Sequence, residues 1–183
     1  MESPDAAEVV RPLLRVRQVR DFAAEPVEHE ALDAIADAAR WSGSSTNAQP
    51  WRFVIIRDPD TLRAIHDAGL PSTRSFATAQ AGIAIVMPEQ EGRGISLAYD
   101  EGRAAERMLV AASLLGLGAG IAWIGKGARA EVGGRLGLPE DRFVRTIVAI
   151  GHPSQAGRQR KAPRGGARQP REETVFEERW PGS

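Results

Sequence analysis

The chain has 183 residues, 24 of them Lys or Arg and 24 Asp or Glu, with 42% hydrophobic and 26% charged residues and no cysteine. That length suits one domain with a sizeable core, the composition is ordinary for a globular protein, and the balanced charge lacks the basic field that non-specific nucleic-acid binding requires. Without cysteine there is no disulfide framework, Cys-ligated zinc or Cys nucleophile. The N-terminus, with Glu2, Asp5 and Glu8, lacks the apolar core of a signal peptide, so a cytoplasmic protein with no nucleic-acid or membrane partner is expected.

From Pro26 to Arg40, Leu32, Ile35, Ala36 and Ala39 recur at helical spacing, with Glu28 and Glu30 near the positive end of the helix dipole. Trp51 to Ile56 is a short apolar run rich in aromatic and β-branched residues and predicts a buried strand. A helix follows: Asp58 caps it, Pro59 suits its first position, Leu62 and Ile65 form its stripe, and Gly69 is placed to end it in the left-handed conformation. Gly82 to Met87 predicts a second strand stopped by Pro88, and Gln90 to Gly94 a polar loop. Between Ile95 and Leu117, the small residues Gly102, Ala104, Ala105, Ala111, Ala112 and Gly116 predict a central, tightly packed helix, in the core or at a subunit interface. Ile121 to Ile124 and Phe143 to Ile150 predict two more strands, separated by a short helix carrying Val132 and Leu136.

After Gly151 the character changes. Gln155 to Arg171 carries Arg158, Arg160, Lys161, Arg164, Arg168 and Arg171 with no acid, and cannot be core. Val175, Phe176 and Trp180 then return as apolar anchors that need somewhere to dock. The expected organisation is one domain over 1–183, with 155–183 an extension wrapping a partner subunit.

Several motifs fail on context. Gly120 to Lys126 has the spacing of a phosphate-binding loop, but Gly127 stands where Ser or Thr belongs and the four intervening residues look like a strand. Gly116, Gly118 and Gly120 resemble part of a dinucleotide fingerprint, but they follow a helix and precede a strand, the reverse of the required order. His29, His66 and His152 have no metal-ligand spacing; solvated surface positions are expected for His29 and His66. Ser44 and Ser45 lack the second glycine of a nucleophile elbow.

Two stretches carry a more specific pattern. Arg17, Gln18, Val19, Arg20, Asp21 and Phe22 form one; Ala39, Arg40 and Trp41, then Gly43 to Trp51 reading GSSTNAQPW, and Phe53 form the other. Together they resemble the opening Arg-Arg-Ser-x-Arg-x-Phe element and the Ser-x-x-Asn-x-Gln-Pro-Trp loop of the nitroreductase family of flavoproteins. The Gly116 to Gly118 turn ahead of Trp123, Ile124 and Gly125, and the closing stretch Arg168 to Trp180, extend the likeness over nearly the whole chain.

The resemblance implies an α+β fold, a three-layer sandwich with a central, mostly antiparallel sheet flanked by helices, in an intertwined homodimer. It implies two FMN molecules at the interface, with NAD(P)H as co-substrate. By the same resemblance Arg17, Gln18 and Arg168 lie along the FMN phosphate, Arg20 near the flavin's polar edge, Ser44, Ser45 and Asn47 come from the partner, and the Gly125 amide faces flavin N5. The chemistry asks for these types, since guanidinium forks hold a dianionic phosphate and a cation or amide stabilises reduced flavin. The implied reaction is two-step hydride transfer from NAD(P)H through FMN to a nitroaromatic, quinone or similar electron-poor acceptor, with no side chain acting as acid or base. Val16 stands in the place of the family's first arginine, Gln18 in that of its serine and Lys126 in that of a common glycine. Arg160 or Arg164 is a candidate to replace the missing phosphate contacts. The alternative is a non-catalytic flavin- or ligand-binding dimer of the same fold, acting as a sensor or scavenger.

Overall fold

The computed structural model describes residues 5–159 and 168–180. Helix α1, Ala6–Arg15, was not anticipated; the Asp5 carboxylate caps it by accepting from the Ala7 amide, and none of its residues is buried. The helix expected from Pro26 begins instead at His29, because Pro26 to Glu28 stay extended, with Glu28 at ψ 145°. This helix, α2, spans His29–Arg40 and buries Leu32, Ile35 and Ala39. Strand β1 (Arg52–Ile56) leads through Asp58 into α3 (Pro59–Ala68), whose first turn is closed by the Asp58 carboxylate accepting from the Thr61 amide at 2.8 Å. Gly69 does not adopt the left-handed conformation expected of it: its φ is −111°. Space is the reason for glycine there, because a Cβ would run into the Thr73 side chain.

Strand β2 (Ala81–Pro88) is buried along its whole length, and α4 (Gly94–Leu114) follows. Ala104, Ala105 and Ala112 face the core as expected, whereas Gly102 faces open space. Gly116, at φ 74°, ends the helix in the region where L side chains are strained. Strand β3 (Gly118–Trp123), helix α5 (Arg129–Arg135), strand β4 (Arg142–Gly151) and the short α6 (Gln155–Arg158) complete the order.

The sheet runs β1-β2-β4-β3 with every pair antiparallel. Side chains alternate across it, so β2 sends Ile83, Ile85 and Met87 toward α2 and α4 while Ala84 faces α3 and α5. Each face is therefore a separate apolar cluster. Leu32, Ile35, Ala105 and Met108 pack on one; Leu62, Ile65, Phe76 and Val132 pack on the other. That is the three-layer α+β sandwich. Outside the ladder, the segment from Arg17 to Phe22 is stapled to the free edge of β3, with Gln18 bridged in parallel to Ala119 and Phe22 to Pro153. Two of the three glycines that suggested a nucleotide fingerprint serve this contact. A Cβ on Gly118 would lie 2.9 Å from the Val19 side chain, and one on Gly120 would strike the Val19 carbonyl.

Candidate functional site

The N-terminal residues of the site are placed by backbone pairing. The Val19 amide donates to the Ala119 carbonyl at 2.8 Å, which lays Gln18 and Arg20 along β3. Gln18 Oε1 accepts from the Ile121 amide at 3.2 Å and from Arg20 Nη2 at 2.6 Å, so this side chain continues the sheet edge where a backbone carbonyl would otherwise act. Arg17 donates from Nη2 to the Arg158 carbonyl at 2.8 Å, at the end of α6. Val16 packs against the α2/α4 core and contributes no polar group.

Partial burial, and secondarily repulsion from Arg74, hold the Arg20 guanidinium below the usual arginine range. Arg74 lies in the turn Arg74–Ala77. Among the described residues neither arginine has a carboxylate partner within salt-bridge distance. Arg74 was not singled out from the sequence. It is an isolated cation after a turn-forming run, and only its approach to Arg20 in space marks it.

Ser44, Ser45 and Asn47 stand together on a loop with unusual backbone: Thr46, Asn47 and Gln49 have φ of 51°, 55° and 45°. Left-handed conformations at non-glycine residues cost on the order of 1–3 kcal/mol each and persist only where neighbours over-determine them. Here Ser44 Oγ accepts from the Gln49 amide at 2.9 Å, while both oxygens of Asp100, 2% exposed on α4, accept from the Ser45 amide at 3.1 and 3.2 Å. Ser42 Oγ, buried where the loop begins, has no partner among the described residues.

Gly125 follows β3 and opens the turn Lys126–Ala128, facing open space on the side a Cβ would occupy. Lys126 is exposed and forms no ion pair among the described residues. Arg168 is exposed in the C-terminal segment. Backbone hydrogen bonds described for that segment, such as Val175 to Arg171 at 2.8 Å, are local to it, and Phe176 and Trp180 stack edge to face at 5.0 Å. Arg160, Lys161 and Arg164 fall outside the described residues.

The structure thus brings together Arg17, Gln18 and Arg20, separately Ser44, Ser45 and Asn47, and leaves Gly125 and Arg168 apart. Among the described residues no hydrogen bond or ion pair joins these groups. Two concavities of about 330 and 450 Å³ lie elsewhere, one beside Pro26, Arg57, Leu62 and Phe76, the other beside Asp33, Arg40 and Phe53, and neither takes in any of the site residues. His66 lines the first and is half-buried rather than fully solvated, with Nδ1 2.8 Å from Asp67. Among the described residues no cluster of His, Cys, Asp and Glu is placed to hold a metal, and no helix is long and apolar enough to cross a membrane.

Residues 15–85, which include the Arg17 to Phe22 segment and the strained serine loop, match the model of the Nitroreductase family. Over that stretch the chain is similar to the nitroreductase family. A protein of Archaeoglobus fulgidus named as an NADH dehydrogenase/NAD(P)H nitroreductase is 28% identical over 152 residues, 80% of this chain and 86% of that one. The NADPH-flavin oxidoreductase of Vibrio harveyi is 26% identical over 162 residues, covering 80% of this chain and 66% of the Vibrio protein. In fold, an FMN-dependent nitroreductase of Clostridium difficile superposes with a TM-score of 0.76 at 21% identity, over 92% of this chain and 98% of that one.

Proposed function

We propose that this protein is an FMN-dependent NAD(P)H oxidoreductase of the nitroreductase family, acting as a cytoplasmic homodimer on electron-poor acceptors such as nitroaromatics and quinones. The observation that carries the reading is the Arg17–Arg20 segment, which lays two guanidiniums and the Gln18 amide along the edge of the strand that leads to Gly125, with no carboxylate partner for Arg20 among the described residues. An anionic, electron-accepting cofactor supplies the missing counter-charge. The residues present fit FMN in other respects: Gly125 leaves room for a flat group, and Ser44, Ser45 and Asn47 offer hydroxyl and amide donors on a loop kept in a costly shape.

Arg17, Gln18 and Arg168 would hold the phosphate, Arg20 and Arg74 the polar edge of the ring, and the Ser44–Asn47 loop of the other subunit would complete the site. When bound, FMN supplies the hydride chemistry, taking hydride from NAD(P)H and passing it to the acceptor. The protein's part is placement and charge: guanidiniums that stabilise developing negative charge, a glycine that keeps the ring accessible, and no side chain needed to move a proton. Dimerisation is supported by the apolar surface a single chain leaves in water. Val9 is 60%, Leu13 56%, Leu14 77% and Trp180 82% exposed.

The visible spectrum of the purified protein, followed by anaerobic addition of NADPH and then NADH, tests the reading. A yellow protein bleached by either nucleotide is expected. A specific observation favours a second reading: Val16, half-buried against the core, has no donor where the family has arginine, and Gln18, its oxygen taken by the Ile121 amide, has only its amide nitrogen to offer where the family has serine, so the phosphate contacts customary in the family are reduced. A colourless protein that stays inactive when saturated with FMN would replace the reductase with a binding dimer, a sensor or scavenger.

A further inference from the structure

Arg145 interrupts the largely apolar run of β4. The β2–β4 pairing runs Ile85 with Thr146 and then Val86 with Val144, so Arg145 is the extra residue of a β-bulge. Bulges re-aim a side chain and sharpen the local twist. This one accompanies a guanidinium directed at α4, where Nε donates to Glu101 Oε2 at 2.8 Å and Nη2 reaches the same oxygen. Glu101 is 2% exposed, and its other oxygen is buried with no partner among the described residues. The guanidinium also stacks on two rings, 5.4 Å from the centre of Trp123 and 5.6 Å from that of Phe143, while the Arg145 carbonyl accepts from the Ile124 amide at 2.7 Å.

A buried ion pair is a poor way to gain stability over apolar packing, so its location calls for a further reason. Both ends of Arg145 act on one short stretch. Its side chain stacks on Trp123, which is 50% exposed, and its backbone carbonyl accepts from Ile124. The next residue is Gly125.

We propose that Arg145, held in its bulge by Glu101, is a positioning residue that fixes the Trp123–Lys126 turn and thereby the direction of the Gly125 amide. This rests on the reading of that turn as the flavin-facing one. The Arg145→Lys substitution separates positioning from simple charge pairing, because lysine keeps a cation for Glu101 but not the planar fork that also stacks on an indole. Trp123→Phe supplies the reference that isolates the Trp123 emission.

The flavin-free protein is measured first, by acrylamide quenching of Trp123, then the FMN-loaded protein for reduction by NADPH. In Arg145→Lys, quenching of Trp123 is expected to rise and kcat to fall about tenfold or more, with KM for NADPH within about twofold of the parent, as a misplaced reacting geometry requires. Parental quenching and parental kcat in a folded Arg145→Lys protein would overturn the proposal and leave the reductase reading intact. A wild-type protein that takes up no FMN would overturn both. Should Arg145→Lys fail to fold, Trp123→Leu, which alters only an exposed ring, must reproduce the kcat loss; parental kcat there would overturn the proposal.

Discussion

Arg20 feels the charge of Arg74 and neither has a neutralising carboxylate among the described residues, an arrangement that separates binding from stability. Removing Arg74 relieves repulsion in the empty site and deletes a charge-assisted contact in the filled one, worth roughly 1.5–3 kcal/mol. Arg74→Ala is therefore expected to weaken FMN binding by about tenfold or more in a fluorescence titration, while the unfolding midpoint of the flavin-free protein does not fall. A lower midpoint together with unchanged FMN affinity would show Arg74 to be structural. Asp100 has the opposite profile. It is buried and anchors the Ser45 amide, so Asp100→Ala leaves that donor short of a partner and releases the left-handed residues Thr46, Asn47 and Gln49. A loss of about 1–3 kcal/mol is expected from urea unfolding.

At the scale of elements, α3 and β3 show how a local signal and a long-range contact differ. The Asp58 cap is local: bonds from the Thr61 hydroxyl and amide hold its carboxyl below the usual aspartate range. A carboxyl depressed by folding contributes stability fully above its unfolded pKa and loses it as pH falls through its folded value. Asp58→Ala is thus expected to lower the thermal midpoint at neutral pH, with the gap closing as the medium is acidified below the aspartate range; a gap independent of pH would show that the carboxylate is not the cap. Gly120 is long-range. Because a Cβ there meets the Val19 carbonyl, Gly120→Ala is expected to cost about 1–3 kcal/mol by overpacking and to loosen the Arg17–Arg20 segment. Helix α4 lies between these cases. Its buried stripe runs Leu97, Glu101, Ala104, Ala105, Met108 and Ala112, so a reader of spacing alone finds Glu101 on the core side, but nothing in the spacing identifies Arg145 as its partner.

The molecule as a whole leaves much apolar surface uncovered, including all of α1 and the indoles of Trp41 and Trp180. On the proposed reading, a second copy of the chain covers this surface and completes the site. Sedimentation is expected to give twice the chain mass, and Leu13→Asp, placing a charge on the open face of α1, is expected to raise the dimer dissociation constant by more than about tenfold and to weaken FMN retention in parallel. A monomer that retains FMN would dismiss the composite site.

The elements with strong local chemistry were legible from the residues: the Asp58–Pro59 start of α3, the apolar strands β1, β2 and β4, and the GSSTNAQPW loop with its family likeness. Their edges were less so, as the shift from Pro26 to His29 and the early start of β3 at Gly118 show, since ladder pairing rather than composition sets where a strand begins. What only the tertiary structure decided is through-space pairing. Arg74 beside Arg20, Glu101 beneath Arg145 and Gln18 standing in for a backbone carbonyl join residues 54, 44 and 103 positions apart, and such distances carry no periodicity for a sequence to display.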